Sequence, residues 1–229
     1  MLFFRKSRGN SLSLRSILIV SCVFCTLINF LPGLLIKTSA LGNSEPLLLK
    51  NFTSLSGKDS LTDIHKTFKI DKNFKATVIV FLSVNCPCSR SHEPILNFLA
   101  QKYMPLGFQF VGVHSNANES YEMASSHFKT TKLNFPMIHD PGSLIADQLG
   151  AYKTPHVFVI NGNHEVLFQG GVDSHSVLEK VTQKTQSVKD YLEDPKTNHF
   201  LKNALESIHT NVPIKKSNVR VLGCVIKRP

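Results

Sequence analysis

The chain has no tryptophan, so its aromatic content rests on sixteen Phe and four Tyr. It has no acidic residue before position 44, and no run of arginines interleaved with aromatics. The second absence matters because the formal net charge is +10. A chain that basic invites a nucleic-acid reading, yet the charge is not gathered into a binding stripe. Residues 1–40 hold Arg5, Lys6, Arg8, Arg15 and Lys37, leaving 21 basic against 16 acidic residues beyond them, a surplus of five spread along the rest. Nucleic acid is therefore not an expected partner. There is no internal repeat, which excludes a stacked-repeat architecture. Charged residues are only 18% against 42% hydrophobic, which excludes a disordered chain. The length of 229 residues fits one good-sized domain plus a tail.

The acid-free N-terminus has its own pattern. Four basic residues precede an apolar segment, Ile17 to Ile36, and Thr38-Ser39-Ala40 places small residues at −3 and −1 of a cleavage after Ala40. This is the n-region, h-region and cleavage order of an export signal. The apolar stretch is near the ~20 residues that span a bilayer, so residues 1–40 are read as a signal peptide or signal anchor. Membrane association would run through residues 17–36, and the rest of the chain would lie outside the cytoplasm, in the periplasm or its equivalent. Residues 41–60 are read as a linker and first strand, 61–211 as the main domain, and 212–229 as a C-terminal tail.

Cysteine is scarce. Cys22 and Cys25 fall inside the export segment and are read as small apolar residues there. The exported part keeps Cys86, Cys88 and Cys224, an odd number, which leaves at least one thiol unpaired within the chain.

The informative stretch is Thr77 to Leu99. Val78-Ile79-Val80-Phe81-Leu82 has the length and β-branching of a strand buried on both faces. Ile95, Leu96, Phe98, Leu99 and Tyr103 then recur at helical spacing, giving a helix over about 91–104. Asn85-Cys86-Pro87-Cys88 lies at the junction. The first N–H groups of a helix have no partner within it and favour an anion, so a cysteine there is stabilised as thiolate, the nucleophilic form. Cys86 is thus a nucleophile candidate rather than a structural thiol.

Further along, Phe52–Leu55 with Gly57-Lys58 reads as a short strand and turn, and Leu61, Ile64, His65 and Phe68 as a short helix. Strands are expected at 108–114 and 156–160, helices at 119–129 and 143–149, and a two-residue hairpin turn at Asn161-Gly162 that returns through 166–168, the hairpin giving antiparallel edge strands. Residues 174–196 read as irregular, and Phe200 to Ile208 as a last helix. Alternating strands and helices predict an α/β fold with a central, partly parallel sheet covered on both faces.

This pattern resembles the thioredoxin superfamily. The resemblance is carried by the 78–83 strand, the cysteine at the next helix start, and Thr154-Pro155 ahead of a strand. Within it, Asn85-Cys86-Pro87, Val111-Gly112-Val113-His114-Ser115-Asn116, Phe135-Pro136, Asp140, Leu149-Gly150-Ala151, Thr154-Pro155-His156 and Leu222-Gly223-Cys224 are most similar to the redoxin, or peroxiredoxin-like, branch. The resemblance implies a thioredoxin-like fold with a central mixed sheet. It implies a cis proline at Pro155 beside Cys86, with Thr154 and Pro155 meeting the substrate. It also implies thiol–disulfide or peroxide chemistry by Cys86, with Cys88 or Cys224 as resolving thiol, no cofactor, and a reducing thiol as partner. Three positions depart from the family patterns. Ser89 stands where a C-x-x-C motif has its second cysteine, Ile79 where a peroxiredoxin has proline, and no arginine other than Arg90 lies near Cys86 in sequence. An alternative of another class is a copper carrier of Sco type, with Cys86 and Cys88 joined by His92, His114 or His156.

Overall fold

The strand Ala76–Phe81 (β4) lies at the middle of an eight-stranded sheet, with all six of its residues buried. Our computed structural model describes residues 47–49, 51–175 and 185–229, which belong to the unit running Glu45–Pro229. The expected export segment, residues 1–40, lies outside the described residues. Among the described residues no helix is long and apolar enough to cross a membrane.

On one side β4 pairs in parallel with β5 (Phe108–His114), which pairs in parallel with β6 (Met137–His139). Beyond β6 come β2 (Ser54–Asp59) and β3 (His65–Lys69), both antiparallel to their neighbours. On the other side β4 pairs antiparallel with β8 (His156–Ile160), then β9 (Glu165–Gly170) and the two-residue β1 (Leu47–Leu48). Successive side chains of a strand face opposite ways, so β4 feeds two cores. Val78 and Val80 join Ile95, Leu96 and Leu99 of helix α1 (Pro87–Tyr103) and Phe128 of α2 (Tyr121–Thr130). Leu192 of α4 (Thr185–Glu193) and Leu201 and Leu205 of α5 (Phe200–His209) close that side. Ile79 and Phe81 join Val111, Val113 and Phe158, Ile145 and Leu149 of α3 (Leu144–Leu149), and Ile226 of the tail. A second, small sheet pairs β7 (Lys153–Thr154) with β10 (Cys224–Val225).

The thioredoxin-like α/β fold with a mixed central sheet is as expected, but several elements differ from the sequence reading. The expected helix through Leu61 and Phe68 is instead strand β3, and the expected turn at Gly57-Lys58 lies inside β2. The three-and-four spacing of those apolar residues is coincidental. Asp59, fully buried, accepts from Leu61 N (3.1 Å), Thr62 Oγ1 (2.8 Å), Lys66 Nζ (2.7 Å) and Met137 N (3.0 Å), and so folds residues 59–65 into a tight connection. That sends β3 back along β2, which carries strand pairing on both sides. Helix α1 starts four residues earlier than expected, at Pro87. The connection after β8 has four residues, not two: Asn161 Oδ1 accepts from Asn163 N and Glu165 N, both at 3.0 Å, in place of an Asn-Gly turn. Neither strand of that hairpin is an edge, because β8 lies between β4 and β9, and β9 is covered by β1. Part of the stretch read as irregular is α4, which buries Val188 and Leu192.

Candidate active site

Cys86 is the N-cap of α1, with extended backbone (φ −86°, ψ 112°), and Pro87 takes the first helical position, where a missing N–H costs nothing. Its carbonyl accepts the first helical bond, from Arg90 N at 3.0 Å. Its sulfur accepts from Ser89 N at 3.4 Å and donates to Thr154 O at 3.1 Å. Residue 86 is 1% exposed.

The segment leading from β4 to Cys86 is held by one carboxylate. Glu119, in the loop before α2, accepts from Ser83 Oγ (2.6 Å), Val84 N (3.0 Å) and Asn85 N (3.0 Å), and meets His114 Nε2 at 2.7 Å. Burial pushes the Glu119 carboxyl up, but His114, Ser83 and the two backbone N–H groups together outweigh it and hold it at about 2. Ser83 N also donates to Ser89 Oγ at 2.9 Å, tying the loop to the first turn of α1.

Thr154, which the sulfur meets, precedes Pro155 through a cis peptide bond, as the resemblance implied. The register of β4 with β8 pairs Phe81 with His156, so Pro155 reaches Cys86 through strand pairing. The tail arrives on the far edge of β7: Cys224 is paired with Thr154, and Val225 with Lys153. Val221 and Ile226 are buried, and Ile226 N donates to Tyr152 O at 3.0 Å. Beyond them Lys227 N donates to Asn116 Oδ1 (2.9 Å), and Arg228 donates to Asp147 Oδ1 and Ala151 O (both 2.7 Å). Glycine is required at 223, because a Cβ there would collide with Thr154 O.

These elements gather the three cysteines. The Sγ atoms of Cys86, Cys88 and Cys224 all lie within 4.8 Å of one another, and all three thiols are free. They are not equivalent. Burial alone would push the Cys86 thiol up, but its interactions with Cys224, Thr154 and Ser89 N bring it below its ordinary value. Burial, then the charge of Cys86, push Cys88 up. Cys224 is pushed up to about 12 by burial and by its hydrogen bond and charge interaction with Cys86.

The structure thus brings Cys86, Cys88, Cys224, Thr154 and Pro155 together. It does not bring in the histidines of the copper-carrier alternative. His92 is engaged by Cys88 O (2.6 Å) and Asp173 Oδ1 (3.2 Å), and His114 by Glu119. His156 packs on Phe158, its ring 4.4 Å away. Among the described residues, the one group of side chains with metal-ligand spacing is the cysteine trio alone. Arg90 points to the surface, with no bond to the Cys86 sulfur among those formed. Sequence reasoning missed Glu119, because a single carboxylate 33 positions from Cys86 carries no local signal.

The Redoxin family model matches residues 48–184, more than half of the chain, and stops short of Cys224. No curated protein sequence matches. Two solved structures show the same fold. An uncharacterized conserved protein from Geobacillus kaustophilus is 19% identical with a TM-score of 0.64, over 81% of this chain and 92% of that one. A hypothetical protein from Sinorhizobium meliloti 1021 is 19% identical with a TM-score of 0.65, over 82% and 97%. With 137 of its residues under the family match and the thioredoxin-like architecture in place, the chain belongs to the redoxin family.

Proposed function

We propose that the chain is a thiol–disulfide oxidoreductase of the exported compartment in which Cys86 is the nucleophile and Cys224 the resolving thiol. The observation that carries this reading is the pairing of β10 with β7. It brings the Cys224 sulfur to the cysteine capping α1.

The Cys86 thiolate attacks one sulfur of a substrate disulfide, forming a mixed disulfide and releasing the other substrate sulfur as a thiolate, which takes up a proton. The negative charge on Cys86 is then gone, and with it part of what keeps Cys224 protonated. Cys224 gives up its proton and attacks the Cys86 sulfur, and the second substrate thiol leaves. The products are a reduced substrate and a Cys86–Cys224 disulfide, two electrons having passed to the substrate. A reducing thiol partner returns them by the reverse exchange. Thr154 and Pro155 position the incoming chain. Disulfide exchange is favoured over peroxide reduction because Ile79 stands where a peroxiredoxin has proline and Arg90 makes no bond to the Cys86 sulfur. Export rests on the pattern of residues 1–40.

The test is exchange on a model protein disulfide. Cys86→Ser is expected to remove the activity, and Cys224→Ser to accumulate a mixed disulfide between Cys86 and substrate. Mass spectrometry of oxidised wild type is expected to show a Cys86–Cys224 bridge. A Cys86–Cys88 bridge in its place overturns the role given to Cys224.

A further inference from the structure

Cys88 has no part in that exchange, yet its sulfur lies within 4.8 Å of both of the others. It lies in the first turn of α1 and is buried. Three sulfurs from two separate elements form a triangle with no edge longer than 4.8 Å.

That triangle has the dimensions of a metal site. A metal–thiolate bond is about 2.3 Å, so a metal in the plane of three sulfurs sets them about 4 Å apart. The sides here, 4.8 Å at most, need to contract by less than about an ångström each. The donor set is uniform. No histidine or carboxylate joins it among the described residues, and an all-thiolate set selects soft ions. A trio without a fourth protein ligand suits a three-coordinate monovalent ion better than zinc, which takes four ligands in structural sites. The surroundings favour a thiolate at one corner. Cys86 caps the positive end of α1, and Ser89 N already donates to its sulfur. The least buried corner, Cys224, gives an entry path.

The geometry points to a three-thiolate site for Cu(I) formed by Cys86, Cys88 and Cys224 in the reduced protein. Binding releases one proton from each thiol that was not already ionised and changes no oxidation state. The site goes beyond the exchange reaction and does not rest on it. It also differs from a cysteine–histidine carrier site, since all its ligands are sulfur. Binding would fasten the tail strand to the start of α1, and Cu(I) and the Cys86–Cys224 disulfide would exclude each other.

The test is anaerobic titration of the reduced full-length protein with Cu(I) delivered from a coloured competing chelator, read by loss of chelator colour and by X-ray absorption at the copper edge. The expected result is one copper per chain in an environment of three sulfurs. Cys88→Ser and Cys224→Ser should each weaken binding at least about tenfold and leave two sulfurs on any copper retained. Thermal melts without metal establish that each variant is folded. A stoichiometry below one, a two-sulfur site in wild type, or unchanged binding in either folded variant overturns the proposal. So does binding of Zn(II) in competition with Cu(I). The readout uses no turnover. Exchange activity without copper binding therefore removes the copper site alone, and copper binding without exchange removes the proposed exchange reaction alone.

Discussion

Replacing Glu119 with glutamine is expected to cost about 3 kcal/mol of stability at neutral pH. The folded protein holds this carboxyl at about 2, against an ordinary value of 4.5, and the side chain is 2% exposed. A difference of 2.5 units at about 1.4 kcal/mol each gives roughly 3 kcal/mol of preference for the charged form. Glutamine keeps the shape but has one acceptor oxygen, so it turns an NH2 either on Ser83 Oγ and Asn85 N or on Val84 N and His114. For a chain of this size the loss corresponds to a melting temperature lower by about 6–12 °C. The sign with pH follows from a folded value below the unfolded one. The stabilisation is complete above about 4.5 and fades as pH falls toward 2. Urea unfolding of wild type and Glu119→Gln at pH 7 and pH 3 measures the gap. It should shrink to less than half at the lower pH. A gap under about 1 kcal/mol at pH 7, or one that survives acidification unchanged, refutes the account of what holds the segment before Cys86.

Three other outcomes are expected. Gly223→Ala puts a Cβ against Thr154 O, so β10 must leave β7, and the yield of Cys86–Cys224 disulfide in oxidised protein should fall severalfold by quantitative mass spectrometry. An unchanged yield shows that the tail tolerates the methyl. His156 is held at about 4 by burial, below its ordinary 6.5, and its Nδ1 has no partner. Its titration should therefore leave stability unchanged above about 6.5 and lower it as pH falls toward 4, a pH-dependent loss that His156→Phe removes in melts at pH 7 and pH 5. Phe128→Ala empties a fully buried position under the sheet and should cost about 3–5 kcal/mol in urea unfolding, with a value below 1 contradicting the packing described.

The site was legible where one short stretch carried both the element and the chemistry. The run at 78–82 had to be a doubly buried strand, and the change to helical spacing after Pro87 put Cys86 at a helix start. Thr154-Pro155 was legible through family resemblance, since the residues around it say little about the isomer. Cys224 was visible as an extra thiol on an apolar tail, but its register on Thr154 depends on a strand pairing 70 residues apart. Glu119 was hidden for the same reason: its four partners come from two separate segments. The misreading at 61–68 shows the limit of periodicity. Residues spaced to fit a helix, three of them apolar, gave way to the buried carboxylate of Asp59 and to the pairing of β3 along β2.

Because Phe81 and His156 face each other across β4 and β8, nucleophile and cis proline are set by a shared ruler rather than by the loops around them. Shifting that ruler by one residue would turn both ends to the wrong side of the sheet. Extra residues should therefore be harmless in the connection at 161–164. A single deletion between 76 and 86, or between 154 and 160, should abolish the chemistry even where the chain still folds.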